Sequence, residues 1–104
     1  MRECVPGAVD MKAQAGLRRD YRAAFLRYLA RQEESALTAG WALGRGALGA
    51  GLSLLEVVRV HHDVLTEVLC DSSPDEVSEV ARAASDFLVE VLATYDMARR
   101  PLHP

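Results

Sequence analysis

From Leu17 onward, apolar side chains return every third or fourth position, the spacing that gathers them on one side of an α-helix. Leu17, Tyr21, Ala24, Phe25, Tyr28 and Leu29 make the first such stripe, with arginines largely on the other side, and predict a helix over 17–31. Leu37, Trp41, Gly44 and Leu48 make the second, over 34–49. The third runs Leu54, Val58, His61, Leu65 and Val68, widened by Val57, Val64 and Leu69, and predicts a helix over 54–70. Val77, Val80, Ala81, Ala84, Phe87, Leu88, Val91, Leu92 and Tyr95 make the fourth, over 74–99. No strand is predicted.

The boundaries rest on local chemistry. Ser53-Leu54-Leu55-Glu56 and Ser73-Pro74-Asp75-Glu76 are capping-box patterns, in which the serine hydroxyl accepts from the third helical N–H and the glutamate reaches back. Pro74 strengthens the second, because a proline at the first helical position lacks only an N–H that would have had no partner. Arg99 and Arg100 suit the negative end of the fourth helix, and Pro101 stops it. Between Ala30 and Ala39 no glycine or proline breaks the chain, and only Glu33 and Glu34, suited to a first helical turn, mark a new start. Gly46, Gly49 and Gly51 weaken the end of the second helix. Pro6, Gly7 and Gly16 leave residues 1–16 without a sustained stripe, so they are expected to form a flexible leader, with the helical domain over 17–100 and a tail over 101–104.

Composition narrows the class. Half of the residues are hydrophobic but only 6% are aromatic, a balance dominated by Ala, Leu and Val that suits packed helices. A chain of 104 residues builds one modest core. The expected fold is all-α, a four-helix bundle-like domain. So small a domain struggles to cover the apolar sides of helices three and four alone, which predicts a two-fold homodimer with helix four and also helix one at the interface.

Charge is unevenly spread. Residues 17–34 carry five Arg against three acids, and residues 56–96 carry ten acids against two Arg. Arg18, Arg19, Arg22, Arg27 and Arg31 therefore have acidic helices to face within the domain, which favours internal pairing over nucleic-acid binding. Cys4 and Cys70 have neither CxxC nor Cys/His spacing, so reduced thiols in a cytoplasm are expected. The uncharged stretches 35–44 and 46–55 are too short to span a bilayer, and no export signal opens the chain.

His61-His62-Asp63 resembles a metal site, but successive helical residues point about 100° apart, so the two imidazoles do not converge. His61, on the apolar stripe, is read as a core histidine hydrogen-bonded to a neighbouring helix, and His62 as exposed. Gly40 and Gly44 are spaced for close helix contact. Trp41 is assigned to the core or to an interface, with the core preferred. No phosphate-binding glycine loop and no nucleophile with its base is present, so no catalytic, metal or cofactor site is expected.

Several phrases carry a resemblance: Arg27-Tyr28-Leu29-Ala30, then Glu34 and Leu37, then Glu56-Val57-Val58 with His61, Val64 and Leu65, and Asp86-Phe87-Leu88-Val89-Glu90-Val91 with Tyr95 and Met97. Over about residues 18–98 the chain resembles the N-terminal domain of the RsbU-type phosphatases of the bacterial general stress response. The resemblance implies a non-catalytic four-helix domain that dimerises and is docked by a switch kinase of the RsbT type, which activates an attached serine phosphatase. It implies a partner surface at the start of helix two and the late part of helix four, here Glu34, Thr38, Val89 and Ala93. RsbU-type proteins continue through a coiled coil into a metal-dependent phosphatase domain. A stand-alone member, a shortened piece and a module acting on a separate polypeptide are all compatible with these 104 residues. A helical DNA-binding protein and a small-molecule sensor are the competing readings.

Overall fold

A computed structural model describes residues 11–99 and shows four helices: α1 (Met11–Arg31), α2 (Glu34–Gly49), α3 (Leu54–Cys70) and α4 (Val77–Arg99). No strand occurs among the described residues, so the all-α expectation holds.

The first helix starts at Met11, not at Leu17. Residues 12–15 are good or tolerable helix formers, and Gly16 costs only about 1 kcal/mol in a helix interior. Two contacts hold the added turns: Ala13 packs against the core, and the Gln14 amide donates to Glu56 Oε2 at 3.1 Å. The rest of the expected leader, with Cys4, Pro6 and Gly7, and the tail over 101–104 lie outside the described residues.

The soft boundary near residue 32 has a conformational cause. Gln32 adopts φ 53°, the left-handed state that commonly closes a helix, and its N–H donates to the Tyr28 carbonyl at 2.6 Å. Its side-chain amide donates to Glu79 Oε2 at 2.8 Å, tying the α1–α2 link to the start of α4. At the other end of α2, Gly51 takes φ 83°, its N–H donates to the Leu48 carbonyl and the Leu52 N–H to the Ala47 carbonyl. This is a Schellman closure, and buried Leu52 supplies its apolar contact.

At the Ser53 box, Glu56 N–H donates to Ser53 Oγ at 3.1 Å and Ser53 N–H to Glu56 Oε1 at 2.6 Å. At Ser73, Glu76 Oε1 accepts from the Ser73 N–H at 2.9 Å, while the Glu76 N–H turns to the Ser73 backbone carbonyl. That tighter bond makes Pro74–Glu76 a single 3-10 turn, so α4 proper begins at Val77, three residues later than expected.

The core is centred on Tyr21, Phe25, Val57, Val64, Phe87 and Val91, all essentially without solvent contact. Two stripes are rotated from their expected positions. On α2 the buried residues are Ala36, Gly40, Gly44 and Ala47, leaving Leu48 exposed and Trp41 only half-buried. On α3 they are Val57, Val60, Val64 and Val68, leaving Leu54, Leu55 and Val58 outside. In α2 the reason is proximity: its small side lies against α4, where only glycine and alanine fit. Trp41 is thus not a core residue, and it is not among the half-buried side chains that pack against the core.

The same contacts set the topology. Gly40 faces Phe87, Glu90 and Val91, and Gly44 faces Val91 and Thr94, so α2 and α4 run in the same direction. Gln14 pairs with Glu56, Arg18 with Asp63 and Arg22 with Glu67, so α1 and α3 also run in the same direction. Short links between successive helices complete an up-down-up-down arrangement.

Candidate functional site

The α2–α4 pair has two sides. On one, Leu43, Gly46 and Ala47 turn toward α1 around a shallow groove shared with Ala13, Gly16 and Leu17, while Leu92 and Tyr95 turn toward Leu54 of α3. The Tyr95 hydroxyl locks this side by donating to the Leu52 carbonyl at 2.7 Å. Helical periodicity sends Trp41 and Leu48 of α2, and Asp86, Glu90, Ala93 and Met97 of α4, to the opposite side, with Leu37, which also packs against the core, at its edge on the seam. Because Gly40 abuts the Glu90 side chain, Trp41 stands level with Glu90 and Ala93, and Leu48 lies farther along, level with Met97.

The four residues assigned by resemblance border this outer side. Glu34 is exposed in the first turn of α2. Thr38, one turn on, is exposed and spends its hydroxyl on the Glu34 carbonyl at 3.0 Å. Val89 is 68% exposed, whereas Val80 and Val91 of the same helix are buried and Val77, in its first turn, is 42% exposed. Ala93 is half-buried, nearest the seam of the four. Leu37, Trp41, Glu90 and Met97 belong to the same side and were not singled out as site residues. The signal for them was the Gly40/Gly44 spacing: glycines that face α4 carry Trp41 outward by about 100° from Gly40.

The electrostatics of this face differ from those of α1. Arg18 and Arg22 bridge to Asp63 and Glu67 of α3 at 3.7 and 2.9 Å, as the charge pattern suggested, whereas Arg19 pairs within α1 with its neighbour Asp20 at 3.2 Å. Glu34, Asp86 and Glu90 have no ion pair among the described residues.

His61 is half-buried beneath α1, with Nδ1 2.7 Å from the Tyr21 hydroxyl, the bond to a neighbouring helix that was expected, and His62 is exposed. Burial pushes the Tyr21 phenol well above its usual range, so it stays protonated and shares this hydrogen bond with a neutral imidazole. Burial and then His62 push His61 below its ordinary value. The folded state therefore takes up a proton less readily than the unfolded chain. The resulting stability is fully present above the unfolded pKa of about 6.5 and is lost as pH falls from there toward the folded value. Urea unfolding near pH 7.5 and 5.5 is expected to show a smaller loss on acidification in His61→Gln than in the parent; equal losses would show that His61 does not carry this dependence.

Among the described residues no group of three or more His, Cys, Asp or Glu is arranged to hold a metal ion, and no helix is long and apolar enough to cross a membrane. The described geometry is that of an all-helical domain with a partly apolar outer face, bordered by charged residues, on two closely packed helices. Residues 19–98 match the family described as phosphoserine phosphatase RsbU, N-terminal domain, and the chain belongs to that family. No curated protein and no solved structure matched the chain. Family membership makes this a regulatory domain of the kind found in a partner-switching phosphatase.

Proposed function

We propose that this domain is a non-catalytic docking module of bacterial stress or sigma-factor signalling, which receives a switch kinase of the RsbT type on the outer side of α2 and α4 and so controls a serine phosphatase. The observation that carries the reading is the family match together with the placement of Glu34, Thr38, Val89 and Ala93 around one side of a single helix pair. A small apolar patch rimmed by charge suits an interface that must form and release. Pairing of Arg18, Arg19 and Arg22 with acids speaks against a phosphate-binding track on α1. The α1–α2 groove, about 340 Å³, is lined by alanine, glycine and leucine with Asp20 as its charged member, and lacks the converging polar groups that orient a small ligand.

The reading includes a two-fold homodimer. Its support is the uncovered apolar surface of Leu54, Leu55 and Val58 on α3, with half-buried Leu92 of α4 beside Leu54. The outward side of α1 is mostly charged, which favours α3 over α1 as the companion of α4 in the proposed contact.

Docking is tested by calorimetric titration of a purified RsbT-type kinase against folded variants. Glu34→Lys reverses a rim charge and is expected to slow association, while Ala93→Arg obstructs the seam and is expected to weaken binding by roughly tenfold or more. If both variants bind as tightly as the parent, the proposed surface is wrong. Sedimentation of the same samples tests the dimer, which a lone 11.4 kDa species at micromolar concentration would exclude.

A further inference from the structure

We propose that Trp41 is the apolar anchor of this docking face, and that the face selects a protein partner whose matching surface is an apolar recess rimmed by arginine or lysine. The inference rests on the docking reading above and specifies the chemistry of the surface that docks.

Trp41 is the single tryptophan of the chain, and its ring is neither in the core nor packed against it. A half-buried indole on an ordered helix presents a rigid contact edge at low entropic cost, the kind of side chain that dominates interface energetics. By helical spacing Leu37 and Thr38 lie one turn before it and Gly44 and Arg45 one turn after, while Ala93 and Met97 of α4 share the same side, Met97 being 57% exposed.

Charge sets the partner. Glu34, Asp86 and Glu90 border this patch without ion-pair partners among the described residues, and they outnumber the two cations of this side, Arg45 one turn beyond Trp41 and Arg82 one turn before Asp86. A second copy placed on the same face by a two-fold axis would bring two acidic rims together, which disfavours self-association here. A basic rim on a different protein resolves the same charges favourably and speeds encounter.

Two measurements on the intact chain test this. The first uses Trp41 fluorescence with caesium and iodide as charged quenchers and acrylamide as a neutral reference. An acidic rim concentrates the cation, so the ratio of caesium to iodide quenching at low salt is expected to exceed that of N-acetyltryptophanamide by roughly twofold and to fall in Asp86→Lys and Glu90→Lys. A ratio equal to that of the free indole overturns the rim. The second titrates the RsbT-type kinase, parent chain first. Trp41→Ala is expected to weaken binding by roughly tenfold or more and Trp41→Phe much less, both with unchanged circular dichroism, and Glu90→Lys to flatten the salt dependence of association. Parent binding that is unaffected by Trp41→Ala overturns the anchor and leaves docking elsewhere intact. No binding by the parent overturns the docking reading and this inference with it. Loss of a dimer on Trp41→Ala would identify the occupant as a second copy and overturn the assignment to a basic partner.

Discussion

Replacing Phe87 by alanine is expected to destabilise the domain by about 3–5 kcal/mol, a large part of the roughly 5–15 kcal/mol that holds a protein of this kind together. Phe87 is fully buried on α4, and three rings from α1 close around it: Tyr21 edge-on with centroids 5.2 Å apart, Phe25 tilted at 5.8 Å and Tyr28 stacked at 6.0 Å. The three rings are themselves buried and held on α1, so they fill the vacated volume only in part. Tyr21 is also held through its hydroxyl to His61, and so is not free to swing inward without giving up that bond. Phe87→Leu keeps most of the volume and is expected to cost about 1–2 kcal/mol. Urea unfolding of both variants measures the difference; a loss below about 1 kcal/mol for Phe87→Ala would remove the aromatic cluster from the centre of the core.

Most of the architecture was legible where a local chemical device declared it. The Ser53 and Ser73 boxes mark the link into α3 and the turn into α4, and the glycine cluster marks the end of α2. What was not legible depended on tertiary contact. Met11–Gly16 gains its helix from the Ala13 and Gln14 contacts and not from a stripe. Gln32 closes α1 in a left-handed state more often taken by glycine, so composition hid the boundary. The stripes of α2 and α3 contain more apolar positions than one side can hold, and hydropathy alone assigned the largest residues inward. On α2 the close approach of α4 reverses that choice: the smallest residues face in and Trp41 is turned out.

The candidate site was readable only in part for the same reason. Glu34, Thr38, Val89 and Ala93 came from resemblance, and nothing in their own spacing joins α2 to α4. Trp41 and Glu90 become site residues only after the Gly40/Gly44 contact fixes how the two helices lie. His61 was legible because a histidine on an apolar stripe needs a partner, and Tyr21 on α1 supplies it.

That contact leads to the second large effect. Gly44→Ala is expected to destabilise the domain by about 2–3 kcal/mol even though alanine is favoured over glycine by up to about 1 kcal/mol in a helix. A Cβ at residue 44 would collide with the Val91 carbonyl oxygen and stand 2.5 Å from Thr94 Oγ1. The carbonyl is part of the α4 backbone and cannot rotate away, and buried Thr94 already donates its hydroxyl to the same oxygen at 3.2 Å. The helices must therefore move apart, which also loosens the contact of Gly40 with Phe87, Glu90 and Val91. At Gly40 the contacts are 3.3–3.4 Å and fall on the side chains of Phe87, Glu90 and Val91, so Gly40→Ala is expected to be milder, its propensity gain offset by a small repacking. Gly46 is exposed with open space at its Cβ position, and Gly46→Ala is expected to stabilise by up to about 1 kcal/mol. Thermal unfolding should therefore rank the variants Gly46→Ala, parent, Gly40→Ala and Gly44→Ala, with the last lowered on the order of 10 °C or more. If Gly44→Ala melts with the parent, α2 and α4 do not approach this closely. Trp41 then has no fixed place beside Glu90 and Ala93, and the outer side of the helix pair is not the docking face.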